Sequence, residues 1–390
     1  MKEWKTYKLS EIGQVIGGAT PSTKVASNYD GDIAWITPKD LSLLSGRYIY
    51  KGERSITEAG YKSCSCQMLP AGSILFSSRA PIGYIAIAGN DLCTNQGFKS
   101  VVPNPEIVNS HFLYYLLSYE KNRIAEMGSG TTFMEISGNV MKNIEVKLPH
   151  LSIQNKIAEI LTSLDEKIEN NQRINDNLEQ QAQAAFNNII TNTTSDKTVQ
   201  LSEIAWLNPK RSISKGKVAR SIEMAHLPTT GSFPSGWEMK EYNGGMKFQN
   251  GDTLMARITP CLENGKVAFV NFLEDDEIAF GSTEYITMTP KRQFAPEVLY
   301  FLVRNAEFID FAVKNMNGSS GRQRVSADTI GTFELPDITL EELHMLETIA
   351  REALTKIKYN SLENMRLAEM RDTLLPKLMS GELKTNEIDC

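Results

Sequence analysis

Between Leu151 and Ile190 the chain has no proline or glycine, and its apolar residues recur at alternating spacings of four and three. The stripe runs through Ile157, Leu161, Leu164, Ile168, Asn171, Asn175, Leu178, Ala182, Ala185 and Ile189. Such a narrow seam predicts a long helix that buries one face against another helix. A second stripe of the same spacing runs through Leu346, Ala350, Ala353, Ile357, Asn360, Asn364, Leu367, Arg371, Leu374 and Leu378. Each position lies 189 residues after its counterpart, as 346 does after 157. Even the polar breaks coincide, Asn171 with Asn360 and Asn175 with Asn364. The two helices are therefore expected to be partners. Duplicated helices that pair with pseudo-twofold symmetry should run antiparallel, with the N-terminal segment returning close to the C-terminal helix. The four asparagines should then meet, bond one another or trapped water, and hold the pair in register. A buried amide without a partner costs about 1–3 kcal/mol.

The segments outside the helices read as mixed α/β. In the first, β-like runs span Asp32–Thr37, Ser73–Ser78, Tyr84–Gly89 and Phe98–Pro103. A helix with Phe112, Leu113, Leu116 and Leu117 on one face covers about Val108–Ser118. The polar loop Gly128–Thr132 then leads to a last strand ending at Pro149. After the polar linker TNTTSDKT the pattern restarts. LSEIG at Leu9 is answered by LSEIA at Leu201, and LPAGSILFSSRAP by FQNGDTLMARITP. FKSVVP is answered by YITMTP, LYYLL by LYFLV, and GSGTTFMEIS by GSSGRQRVS. The chain is an internal duplication of a globular unit followed by a long helix. We place the first globular domain at 1–150, the first helix at 151–192, the second domain at 193–337 and the second helix at 338–383. Between the matched framework strands the loops differ completely.

At 390 residues, 41% of them hydrophobic, the chain has room for a sizeable core and no apolar run long enough to span a membrane. The N-terminus has no signal-peptide core, and five cysteines without CxxC spacing suit a reducing cytoplasm. The net charge of −6 is concentrated on the helical segments, so any contact with nucleic acid must use local clusters. Catalytic chemistry is not evident. The four histidines are scattered, the Cys64–Cys66 pair is too sparse for zinc, and phosphate-binding glycine patterns and nucleophile elbows are missing. Neither an amino-methyltransferase motif nor a nuclease set of paired carboxylates and lysine is found. The expectation is a binder with no catalytic residue, no metal and no cofactor of its own.

Paired frameworks with unlike loops present two different recognition surfaces, because loops carry contacts while strands position them. Arg79 and Arg257 each follow a β-like strand and read as equivalent. Thr131 and Thr132 read as facing Arg322, Gln323 and Arg324 of the repeat. Arginine and glutamine make bidentate contacts to guanine and adenine edges, and threonine can touch a thymine methyl. Solvated loop charge is the plainer account of the same residues. The basic run Lys210, Arg211, Lys215, Lys217 and Arg220 suits phosphates, or solvent.

KLSEIG, GSILFSSRAPIGYIAI, TNQGFKSV, LPHLSIQNKIAEILTSLDEKIE and the terminal LLPKLMSGELK together resemble the DNA specificity subunits of type I restriction–modification systems. The likeness covers nearly the whole chain. It departs at LPDITLEELHMLETIA, where Glu342 stands in place of a Glu-Gln pair. The resemblance implies two target recognition domains, each binding half of a split site in double-stranded DNA, separated by two long antiparallel coiled-coil helices. It further implies that the helices dock two modification subunits, with restriction subunits as further partners, and that Gln96 and Lys99 in TNQGFKSV join the DNA-facing set. Forty helical residues extend about 60 Å, against about 34–36 Å for one turn of B-DNA, so two grooves come within reach. A helical scaffold with protein-binding ends is the alternative, and a stand-alone methyltransferase a more distant one.

Overall fold

The computed structural model describes residues 4–79, 81–130, 134–193, 195–291, 294–319 and 321–383. It divides into two compact units, residues 1–169 with 367–390, and residues 170–366. The long helices span Leu151–Asn192 and Leu340–Ser380, so each contributes to both units. The second helix starts two residues after the expected boundary because Thr339 caps it. Thr339 Oγ1 accepts from the Glu342 backbone N–H at 3.2 Å, and the Glu342 carboxylate accepts from the Thr339 backbone N–H at 2.8 Å. Glu342, the departure from the family pattern, is thus the carboxylate of a capping box.

In the first unit a five-stranded sheet runs in the order Gly13–Gly17, Lys99–Pro103, Ile74–Ser78, Ile82–Ala88, Tyr48–Ile49. The second unit repeats the first four of these as Ala205–Leu207, Tyr285–Pro290, Thr253–Ala256, Val267–Phe269, all antiparallel. Each unit carries a further sheet, of which the sequence pattern showed only the run Asp32–Thr37 in the first. In the first it is three strands centred on Tyr29–Ile36, and in the second four strands in which Val218–Ile222 pairs with Ala279–Gly281. Each is also closed by a two-stranded ribbon, Lys5–Lys8 with Glu145–Leu148 and Thr198–Gln200 with Glu334–Pro336. Strand Glu145–Leu148 is the expected last strand ending at Pro149, whereas its partner Lys5–Lys8 and the strand Thr198–Gln200 are too short and too polar to give an alternation signal.

The sheets bury one face against their own helix and against segments of both long helices. In the first unit Phe112, Leu113 and Leu116 of helix Ser110–Glu126 join Ile157, Ala158, Leu161, Leu378 and Met379 in one core. Trp4 packs on the same core, so the N-terminal segment does return to the C-terminal helix. In the second, helix Pro296–Val303 joins Ala182, Phe186, Leu346, Ala350, Ala353 and Ile357. Gln154, 1% exposed, fixes the start of the first long helix. Its amide donates to the carbonyls of Ile107 and Pro149 at 3.0 Å and accepts from the Asn109 N–H at 3.0 Å.

The seams carry polar residues of two kinds. In the first unit Arg47, 4% exposed, forks onto Glu169 at 3.0 and 3.1 Å and lies 3.8 Å from Asp165. Asp165 also accepts from Tyr115 at 2.6 Å and from Arg371 at 2.7 Å. Burial works against the Arg47 charge, but its bond to Glu169 and the nearby acidic groups outweigh that and raise its pKa. The first globular segment is thereby tied to both helices by a compensated buried ion cluster. In the second unit the seam is amide-based. Asn171 donates to Asn364 at 2.9 Å and to Glu363 at 2.7 Å. Asn360 donates to Asn175 at 2.8 Å, and Asn175 to Ser361 at 3.2 Å. The order of these partners makes the two helical segments antiparallel.

The Asn360–Asn175 bond gives a stability test. Asn360→Leu leaves the Asn175 carbonyl oxygen, buried in the seam, without its donor, and should cost about 1–3 kcal/mol. Asn175→Leu together with Asn360→Leu should recover most of that loss in chemical denaturation. A double variant that loses the sum of the two single changes would show that the amides do not act as a pair.

Candidate nucleic-acid interface

Each unit has a junction where the end of one framework strand, the start of its neighbour and a returning segment meet. In the first, strand Ile74–Ser78 runs into Arg79. The Ser78 N–H donates to the Gly97 carbonyl at 2.7 Å, and the Ser78 carbonyl accepts from the Ile136 N–H at 2.9 Å. Arg79 and Ser129 both form bridges with Glu135. In the second, strand Thr253–Ala256 runs into Arg257. The Arg257 N–H donates to the Glu284 carbonyl at 2.9 Å, and the Arg257 carbonyl accepts from the Val325 N–H at 3.0 Å. Ile258 and Asn317 both bridge to Arg324.

The bonds correspond one for one, and they correct two sequence-based alignments. Arg257 corresponds to Ser78, so Arg79 corresponds to Ile258. The one-residue offset is already present in the ungapped match of LPAGSILFSSRAP with FQNGDTLMARITP, and it reverses the face of an extended strand. Ser137 and Ser326 cap equivalent short helices, Gly138–Asn143 and Ala327–Gly331. Counted back from these caps, Arg324 matches Glu135, not Thr131 or Thr132. Thr131 and Thr132 themselves lie outside the described residues.

Most of the expected contact residues gather at these junctions. Arg79 reaches the Glu135 carboxylate at 3.8 Å, and Lys99 reaches it at 3.4 Å and Ser78 Oγ at 3.5 Å. Gln96 is exposed in the turn that precedes strand Lys99–Pro103, where its side chain bonds to Thr20. In the second unit Arg324 grips Glu284 through Nε at 2.9 Å and Nη2 at 2.7 Å, and Arg257 Nε stands 3.5 Å from the same carboxylate. Arg322 is exposed beside it, and the Gln323 carbonyl accepts from the Thr259 N–H at 3.0 Å. Bonds from Arg324 hold the Glu284 carboxyl below its usual range, burial opposes this, and the charges of Arg324 and Arg257 add to the lowering.

Arg211 departs from the expectation. Its side chain is 7% exposed, bonded to Asp252 at 2.8 Å and to Thr289 at 3.0 Å. Asp252 precedes strand Thr253–Ala256 and Arg257 follows it, so Arg211 lies at the opposite end of that strand from the junction. It compensates a buried carboxylate instead of facing a phosphate. Arg220 is likewise held, by the Phe272 carbonyl at 2.9 Å, while Lys210, Lys215 and Lys217 are exposed. The two carboxylates that organise the junctions escaped the sequence reading. Glu135 and Glu284 occupy different positions of the repeat, so no comparison of the halves singles them out.

Among the described residues, no group of three or more His, Cys, Asp or Glu side chains could hold a metal, and no helix is long and apolar enough to cross a membrane. A family model described as the Type I restriction modification DNA specificity domain matches residues 1–180. The MjaIX specificity subunit of Methanocaldococcus jannaschii, named as part of a type I restriction enzyme, is 32% identical, over 99% of this chain and 95% of that one. The HindI specificity subunit of Haemophilus influenzae is 23% identical over 98% of this chain and all of its own. Among solved structures, the S subunit of a type I restriction–modification system from M. genitalium superposes with a TM-score of 0.62 at 16% identity. That match covers 96% of each chain and is a likeness of fold.

Because its folded carboxyl is depressed, Glu284 adds stability that is fully present above the usual glutamate range and fades as the pH falls through it toward the folded value. The stability difference between the native chain and Glu284→Gln should therefore be largest near neutrality and shrink as the pH falls below the usual glutamate value of about 4.3. A difference that does not vary between pH 7 and pH 3 would contradict this ion pairing.

Proposed function

Because this chain belongs to the family of type I restriction–modification DNA specificity subunits, we propose that its two junctions read the two halves of a split site in double-stranded DNA. The observation that carries the reading is the repeated sheet order ending in two junctions of excess positive charge built from unlike residues. A common framework with different side chains at the same place suits two readers of different sequence. The exposed Arg322 and the lysines Lys210, Lys215 and Lys217 supply phosphate contacts in this reading. The chain is the non-catalytic member of its complex. It holds no cofactor of its own, and methyl transfer and cleavage fall to other subunits.

The same reading assigns the outer faces of the long helices to docking, with two modification subunits as the occupants. Met345, Ile349 and Tyr359 are apolar yet exposed on the second long helix, which supports this placement. The band of Asn171, Asn175, Asn360 and Asn364 would hold the helices in register, at a cost in stability that an apolar seam would avoid.

Exchanging residues 1–150 for the matching segment of a relative with a different target tests the division of labour. Half of the recognised sequence should change and the other half stay as it was, as read from methylated adenines in host DNA. If both halves changed together, or neither did, the two-reader assignment would be wrong.

A further inference from the structure

The two junctions contain the same trio, two cations around one carboxylate, assembled from residues that do not correspond. In the first unit the carboxylate, Glu135, lies on the returning segment and is flanked by Arg79 and Lys99. In the second that backbone position is taken by Arg324, and the carboxylate has moved to Glu284, where the first unit has Gly97. The framework does not need these ions to close. Backbone bonds from Ser78 and Ile136, and from Arg257 and Val325, already join the three segments. Ion pairs as exposed as these add little to stability. Their recurrence from unlike residues therefore points to a task other than folding.

The geometry of Arg324 shows what the task is. A guanidinium has five N–H donors. Nε and one hydrogen of Nη2 are spent on Glu284, and one hydrogen of Nη1 on the Arg322 carbonyl at 3.1 Å. One donor on each terminal nitrogen is left, and the side chain is 37% exposed. That is a fork prepared for a two-acceptor partner such as the O6 and N7 of guanine. Holding it in advance removes rotamer freedom that a free arginine would lose on binding. We infer that Glu284 is a positioning residue for base recognition by Arg324, with Arg257 beside it, and that Glu135 does the same for Arg79 and Lys99 in the other unit. The inference rests on the two-reader function proposed above and names the groups that set specificity in each half.

The test uses the full chain assembled with its modification subunits and selection of bound duplexes from a randomised pool. Glu284→Gln should lower discrimination at one or more positions of a single half-site about tenfold, while the other half keeps its preference. Binding to non-specific DNA should hold or tighten and its salt dependence steepen, because a negative charge has been removed. Glu284→Asp should restore part of the discrimination, and Glu135→Gln should relax the opposite half. If Glu284→Gln instead lowers thermal stability yet leaves both half-sites as sharply read as before, the carboxylate merely pins the loop and the inference is overturned. A native chain without a bipartite preference would overturn the underlying function, an outcome separate from the behaviour of the variants.

Discussion

The pairing of segments from the two long helices is the constraint on which each globular unit depends. A sheet that is apolar on one face must bury it, and in this chain the cover is a local helix together with pieces of both long helices. Sequence-distant residues therefore complete each core, Leu378 with Phe112 in the first unit and Leu346 with Phe186 in the second. Neither unit is finished until both halves of the chain have been made. The seams are not uniformly apolar, which limits how the helices can slide. A cluster of Arg47, Asp165, Glu169 and Arg371 fixes one unit, and an amide ladder fixes the other. A shift by one helical turn would strand those groups without partners.

This arrangement explains what could be read from the sequence. The alternating spacings of four and three, and their repetition 189 residues later, gave the helices and their duplication, because a narrow buried stripe demands such a pattern. The framework strands were legible because Ile74–Ser78 and Thr253–Ala256 are fully buried and bounded by Gly and Pro. In the short ribbons that close each unit, Lys5–Lys8 and Thr198–Gln200 were not, since their pairing is decided by distant strands. Asp165 escaped because it lies one residue from the apolar seam position Leu164, where a carboxylate reads as solvated. Only its contacts with Tyr115 and Arg371 show otherwise.

The candidate site was legible by residue type and not by arrangement. Arg79, Lys99, Arg257, Arg322 and Arg324 do collect at the two junctions, where loop positions invite contact. Arg211 does not, because its partner Asp252 is buried at the far end of a strand. The carboxylates Glu135 and Glu284 could not be found by comparing the halves. Their equivalence is spatial, and it appears only when the backbone bonds around Ser78 and Arg257 are matched.

The central claim is that this chain carries two sequence readers for duplex DNA. Selection from a random duplex pool by the native chain, assembled with its modification subunits, tests it most directly. The account predicts two short specified stretches separated by an unspecified spacer of fixed length, with binding that weakens as salt rises. A single uninterrupted motif, or binding with no base preference at any position, would contradict it.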